Sequence, residues 1–227
     1  MLIATYFTPS HKDMAERFVL NRWEQAGFDD CISCEVLDQD CPTATFKQPG
    51  WNECTADKIA WLSEMPMDSQ PVLFVDADVA VFAGAADMCR KVLDTSNDTG
   101  EMFFQNDYVQ LCTGVILFRR TPAVLGFLDF WCQFCSFTAE NDQDGLHLLQ
   151  SARKAVGMQG HIVSTSAVAS DMWANWRGLG NEKPWQGEPI DPPRTMTLWH
   201  ANWCVGVEAK TKMLEQVVAT HDARLAG

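Results

Sequence analysis

Short apolar runs alternate with stretches of helical periodicity along most of the chain. Residues 2–7 form a compact apolar run closed by Thr8-Pro9-Ser10. Ser10 is placed to cap a helix running through Gln25, with Gly27 as its stop. Met14, Phe18, Val19 and Trp23 recur on one face of that helix. Cys31–Leu37 reads as a second strand, and Thr55–Glu64 as a helix with Ile59 and Leu62 on its apolar face. Pro71–Val75 is apolar without alternation, as expected of a parallel strand covered on both faces. Further on, Glu101–Gln105 and Cys112–Phe118 read as strands, and Ala123–Phe137 and Asp142–Val156 as helices. A strand over His161–Ser164 and a helix over Glu208–His221 complete the series. Strands interleaved with helices predict an α/β chain with a mostly parallel central sheet flanked by helices, in a single domain over 1–227. Residues 165–198 break the rhythm with Pro and Gly and no period. A stretch of that length inside a compact domain is expected to be a functional loop.

Composition narrows the function. The 227 residues carry 17 basic and 30 acidic side chains, a formal net charge of −13. That balance opposes nucleic-acid binding, which needs basic surface against phosphate. A phosphorylated ligand would have to be held by local cations or a metal, against the overall field. No apolar run approaches the length of a membrane span. Met1 leads directly into Leu-Ile-Ala-Thr-Tyr-Phe without a basic leader, so no signal peptide is expected and the predicted location is cytoplasmic. The nine cysteines fit reduced thiols. Two CxxC pairs, Cys31/Cys34 and Cys132/Cys135, have half the spacing of a zinc site, but buried structural thiols are the expectation.

The sharpest chemical signal is Val72-Leu-Phe-Val-Asp-Ala-Asp-Val79. Asp76 and Asp78 leave the carboxyl end of a buried strand, where open α/β sheets place their ligands. Two carboxylates so spaced can converge on a hard cation that bridges a diphosphate. Asp is also common in an ordinary strand-ending turn, and the tripeptide alone leaves both readings open. Gly114, inside the apolar run 111–118, implies a backbone approached closely by a ligand or another chain. Glu140-Asn-Asp-Gln-Asp-Gly145 stands at a helix start, where its side chains cap the helix or face a site. Leu198-Trp-His-Ala-Asn-Trp-Cys-Val-Gly206 follows, with Lys210 and Lys212 beyond it. His200 at a strand end could complete a metal site, and a lysine could neutralise phosphate.

In order and spacing these segments resemble the nucleotide-diphospho-sugar transferases of the GT-A fold, the retaining group that includes plant cell-wall xylosyl- and arabinosyltransferases and, more distantly, glycogenin. The likeness covers roughly residues 1–215, and it implies a metal-dependent hexosyl- or pentosyltransferase using a nucleotide sugar, UDP-linked. It implies that Asp76-Ala77-Asp78 is the Asp-x-Asp motif, holding Mn2+ or Mg2+ together with His200. It further implies that Thr113-Gly114 lie near the donor sugar, that Asp142 and Gln143 face donor and acceptor, that Asn202 and Gly206 help bind the nucleotide sugar, and that Lys210 touches the diphosphate. Lys212 competes for the role of Lys210. Thr113 departs from the family's commoner Asn or Ala. Residues 1–110 would form the nucleotide-binding half and 111–227 the half for donor sugar and acceptor, the acceptor being a glycan, protein or small molecule. Thr5, Tyr6 and Thr8 would contact base and ribose. Lys58 either reaches the nucleotide or is a solvated helix lysine.

Five tryptophans fall between 173 and 203; their flat faces suit sugars, but core packing is the expectation for each. His11, His147, His161 and His221 show no partner pattern and are expected to be structural. Two competing functions fit parts of the pattern. Asp76-Ala-Asp-Val79 also matches the nucleophile loop of haloacid-dehalogenase-like phosphatases, although that loop normally lies on the first strand. A non-catalytic nucleotide-sugar-binding protein would keep the fold without turnover.

Overall fold

The structure, a computed structural model, describes residues 1–38, 48–66, 70–95, 101–107, 110–155 and 163–225. In chain order its elements begin with β1 (Leu2–Phe7), a 3₁₀ turn (Pro9–His11) and α1 (Lys12–Ala15), which widens into a π-type turn over Glu16–Leu20. There follow β2 (Asp30–Glu35), α2 (Trp51–Ser63), β3 (Val72–Asp76), β4 (Val79–Val81), α3 (Ala85–Asp94) and β5 (Glu101–Asn106). The second half contains β6 (Leu111–Phe118), α4 (Pro122–Thr138), α5 (Asp142–Ala155), β7 (Ser164–Val168), β8 (Trp173–Asn175), β9 (Leu198–His200) and α6 (Val207–Leu225).

Six strands form the central sheet in the order β2-β1-β3-β6-β5-β7. β6 alone runs against the other five, pairing antiparallel with β3 and β5. The sheet is therefore mostly parallel, as the alternation of elements predicts, and helices cover both faces. Residues of β3 alternate between two cores, which explains its unbroken apolar sequence. Val72 and Phe74 pack with α2, α4 and α5, whereas Leu73 and Val75 pack with α3. All four are fully buried, and burial of a side chain of this kind contributes about 1.5–3 kcal/mol.

The first predicted helix is shorter than its pattern. Ser10 lies in the 3₁₀ turn and bonds the Thr8 hydroxyl and His11 rather than capping. Gly27 does terminate the segment, at φ +88°. The strand expected at His161–Ser164 is instead β7, starting at Ser164; His161 and Val156 lie outside the described residues.

The second sheet was not expected. Its three short strands, in the order β4-β9-β8, draw together segments more than a hundred residues apart. Much of 165–198 is core rather than loop. Trp176, Trp185, Ile190 and Met196 are buried with Trp199 and the inner face of α6. The described cysteines are all free thiols. Among the described residues, no helix is long and apolar enough to cross a membrane.

Candidate functional site

Strand register assembles the site. Val75 pairs with Val115 across the β3–β6 ladder, which brings the next residues, Asp76 and Gly114, side by side. Val79 pairs with His200 across β4–β9, and Ala201 N–H donates to the Asp78 carbonyl at 2.9 Å. A slip of one residue in either ladder would turn these side chains to the opposite face. In the register found, a carboxylate oxygen each of Asp76 and Asp78 and a ring nitrogen of His200 all lie within 4.8 Å of one another. Among the described residues, this is the group of His, Cys, Asp and Glu arranged to hold a metal.

The donor set fits Mn2+ or Mg2+, with carboxylate oxygens in the majority and one imidazole nitrogen. Gly114 provides the room. A Cβ at this position would meet His200 Cε1 and Nε2 and Asp76 Oδ2, so the close approach inferred from the glycine is made by the site's own side chains. Both CxxC pairs lie elsewhere, on β2 and α4.

Two lysines balance the carboxylates. Lys210 Nζ is 2.6 Å from Asp78 Oδ2, and His200 Nε2 is 3.2 Å from Asp78 Oδ1. Burial alone would raise the Asp78 pKa, but Lys210 and His200 hold it well below the usual carboxylate range. Burial disfavours charge on His200 in the same way, yet the Asp78 carboxylate lifts its pKa well above the ordinary imidazole value. Lys58, on the buried face of α2, donates to Asp76 Oδ1 at 2.9 Å and lies 2.7 Å from Asp142 Oδ2. It is 5% exposed, which excludes the solvated-lysine reading. Desolvation would strip its proton, but Asp142 and Asp76 keep its pKa raised. Asp76 is raised by its burial, against the pull of Lys58.

The start of α5 contributes the opposite wall. The Asn141 side chain accepts from Asp144 N–H at 2.9 Å and donates to Asp144 Oδ2 at 2.6 Å, a reciprocal cap. Trp131 Nε1–H donates to the Asp142 carbonyl at 2.9 Å, fixing the first turn from the core side. Gln143 Oε1 accepts from Thr113 N–H at 3.4 Å, tying α5 to β6. The motif therefore both caps the helix and faces the site.

These groups line one cavity of about 920 Å³, a volume suited to a large small-molecule ligand. Its wall includes Lys58, Asp76, Asp78, Thr113, Gly114, Asp142, Gln143, His200, Asn202, Gly206 and Lys210. Lys212 instead pairs with Glu208 on the exposed side of α6, so of the two lysines it is Lys210 that lines the cavity. Thr5, Tyr6, Thr8 and Ala77 do not reach the wall. Thr5 is completely buried and Tyr6 packs on Trp61, their ring centroids 5.8 Å apart. Thr8 touches the site only through Ser10 and His11, which do line the cavity.

Several wall residues carry no motif. Asp107 accepts from Trp203 Nε1–H at 2.6 Å and Asn202 Nδ2–H at 3.3 Å, and the Arg177 guanidinium stacks 4.0 Å above the Trp203 ring. Trp203 has φ +59°, a left-handed backbone unusual for a bulky residue. Of residues 165–198, only Pro184 reaches the wall among the described residues.

Comparison with known proteins agrees with this geometry. A sequence profile of the nucleotide-diphospho-sugar transferases matches residues 19–214. No protein of curated function matches the chain in sequence. Among solved structures, a glycosyltransferase involved in glycosylation of the major capsid of PBCV-1 superposes with a TM-score of 0.61 at 10% identity, covering 94% of this chain and 98% of that one. The Streptococcus pneumoniae TIGR4 glycosyltransferase GlyE gives 0.57 at 10% identity over 99% of this chain and 63% of its own. Mouse xyloside xylosyltransferase 1 gives 0.51 at 10% identity over 88% and 97%. At such identities the structural likeness establishes a shared GT-A fold. The profile match, spanning most of the chain, goes further: the protein belongs to the nucleotide-diphospho-sugar transferase family and is a glycosyltransferase.

Proposed function

We propose that the enzyme transfers a sugar from a UDP-linked donor to a glycan, protein or small-molecule acceptor, with retention at the anomeric carbon and a divalent cation, Mn2+ or Mg2+, at Asp76, Asp78 and His200. The observation that carries this reading is the convergence of those three side chains with Lys210 and the start of α6 in one cavity. Bound there, the cation would neutralise charge on the leaving diphosphate. UDP and retention rest on the resemblance of the motifs to the retaining group.

The chain's own residues divide the remaining work. Lys210 adds a second positive charge for the diphosphate, and the first turn of α6, beginning beside Gly206, adds its partial positive charge. In a buried setting both act more strongly than in water. With Thr5, Tyr6 and Thr8 off the wall, base and ribose contacts pass to Ser10 and His11. In this reading residues 1–110 hold the nucleotide, and 111–227 hold donor sugar and acceptor. During transfer the bond from the anomeric carbon to the diphosphate oxygen breaks, and its electron pair stays with the diphosphate. The acceptor oxygen bonds to the same face of that carbon and gives its proton to the diphosphate. Asp142 and Gln143 stabilise the sugar as it loses its leaving group, or Asp142 attacks transiently.

Family membership removes the phosphatase reading and, with it, Asp76 as a nucleophile. The test is calorimetric titration of UDP, GDP, ADP and CDP with Mn2+, then hydrolysis of the matching nucleotide sugars. Activity should disappear with chelator and in folded Asp78→Ala. Turnover that survives both would exclude the metal. NMR of the product's anomeric proton decides retention.

A further inference from the structure

We infer that Gln105 is a positioning residue for the metal-ligating histidine, fixing the His200 ring so that Nε2 presents its lone pair to the cation. The inference rests on the metal reading above and extends it to a residue with no place in any of the motifs.

Gln105 is completely buried at the end of β5, where the register with β6 shifts between Phe104 and Gln105. Such an irregularity re-aims a side chain out of the regular pleat. Its amide nitrogen lies 3.0 Å from the Ala174 carbonyl and 3.2 Å from the Trp173 carbonyl, both on β8. Carbonyl oxygens only accept, so the group facing them is the NH2, and both of its hydrogens are used. Oε1 therefore faces the other way, 2.8 Å from His200 Nδ1. An amide oxygen cannot donate, so Nδ1 carries the hydrogen. In the neutral ring this leaves Nε2 as the nitrogen with a free lone pair, and Nε2 is the atom directed at Asp78. Cys112 Sγ, 3.5 Å from Nδ1, is a weak second neighbour that leaves the assignment unchanged.

Gln105 thus links β5 to the two strands that position the histidine. Its donors lock it to β8, β8 pairs with β9, and β9 carries His200. Outer partners of this kind typically change metal affinity about 10- to 100-fold when removed.

The experiment is Mn2+ binding, with MnCl2 as the probe, followed by electron paramagnetic resonance of free Mn2+. It uses wild type, Gln105→Met, His200→Ala and the double variant, with folding checked by circular dichroism. Gln105→Met should weaken Mn2+ binding about 10-fold or more, and should cost nothing further once His200 is Ala. An equal loss in both backgrounds would mean a merely structural role and would overturn the inference. Nitrogen NMR of His200 in the Mg2+-loaded wild type gives a second reading, with the ring hydrogen expected on Nδ1, facing Gln105 Oε1. A hydrogen on Nε2 would also overturn the inference, and this measurement decides the matter should Gln105→Met not fold. If wild type binds no Mn2+, the metal reading fails and this inference with it. Wild-type binding with unaltered affinity in Gln105→Met removes this inference alone.

Discussion

Gly114 lies against the imidazole of His200: a Cβ built on it would collide with Cε1 and fall 2.9 Å from Nε2 and 3.0 Å from Asp76 Oδ2. None of these atoms can retreat cheaply. The ring is held by Gln105 and Asp78, and Asp76 by Lys58. Gly114→Ala should therefore fold but present displaced ligands. Its Mn2+ affinity should fall about 10-fold or more, a loss comparable to deleting an outer partner. Titration calorimetry beside a thermal melt measures both quantities, and unaltered affinity would show that the site has slack the geometry does not suggest.

Lys58 supports a stability prediction with an unusual sign for metal binding. In Lys58→Met the helix face stays apolar, but Asp76 and Asp142 lose the ammonium between them. Removing one partner of a buried ion pair typically costs about 3–5 kcal/mol. The metal-free variant should melt well below wild type. Since the ammonium competes with any cation for Asp76, the variant should bind Mn2+ at least as tightly, and Mn2+ should raise its melting temperature by more. Equal melting temperatures without metal would mean that the pair contributes no net stability.

The parts of this site that could be read in advance are those whose ligands are close in sequence. Asp76 and Asp78 leave one apolar strand two residues apart, and Asp142 and Gln143 open one helix, so local pattern carries them. Lys58 was ambiguous because its role depends on which face of α2 the sheet covers. Gln105 and Asp107 had no signal beyond polarity at the end of an apolar run; their roles come from a shifted register and from contacts with β8 and the residues after β9. The small sheet was illegible for a related reason. Strands of three residues are too short to show a period, and their pairing is entirely non-local. The tryptophan-rich stretch buries its rings without helical or strand repetition, so it read as loop although it forms core.

Asp107 gives a pH-dependent prediction. Burial raises its pKa, and the Trp203 and Asn202 donors offset only part of that rise. An acid whose folded value exceeds its unfolded value favours folding in its protonated form. Its ionisation therefore costs stability above that value, and the cost vanishes as pH falls toward the ordinary Asp value of about 3.9. Asp107→Asn keeps an oxygen for Trp203 Nε1–H without the buried charge. The variant should melt above wild type near neutral pH, with the gap closing on acidification. A variant less stable at neutral pH would show that the charge is better compensated than its burial implies.

Asp142 tests the transfer step itself. Its backbone is fixed by Trp131 and its side chain by Lys58, so Asp142→Asn changes charge with little change of shape. If the carboxylate acts on the sugar during transfer, kcat should fall about 100-fold or more, within the range seen when a positioned catalytic group is lost. KM for the nucleotide sugar should stay within a few-fold, whereas Mn2+ affinity should fall modestly, because the Lys58 ammonium is then left to Asp76 alone. Asp142→Gly assayed with azide then separates the two roles. A glycosyl azide of inverted configuration would identify Asp142 as a transient nucleophile, since a small anion would be replacing a covalent partner. No azide product, with kcat still depressed, would assign it to electrostatic stabilisation of the sugar. A parallel loss of kcat and nucleotide affinity would place Asp142 in donor binding instead.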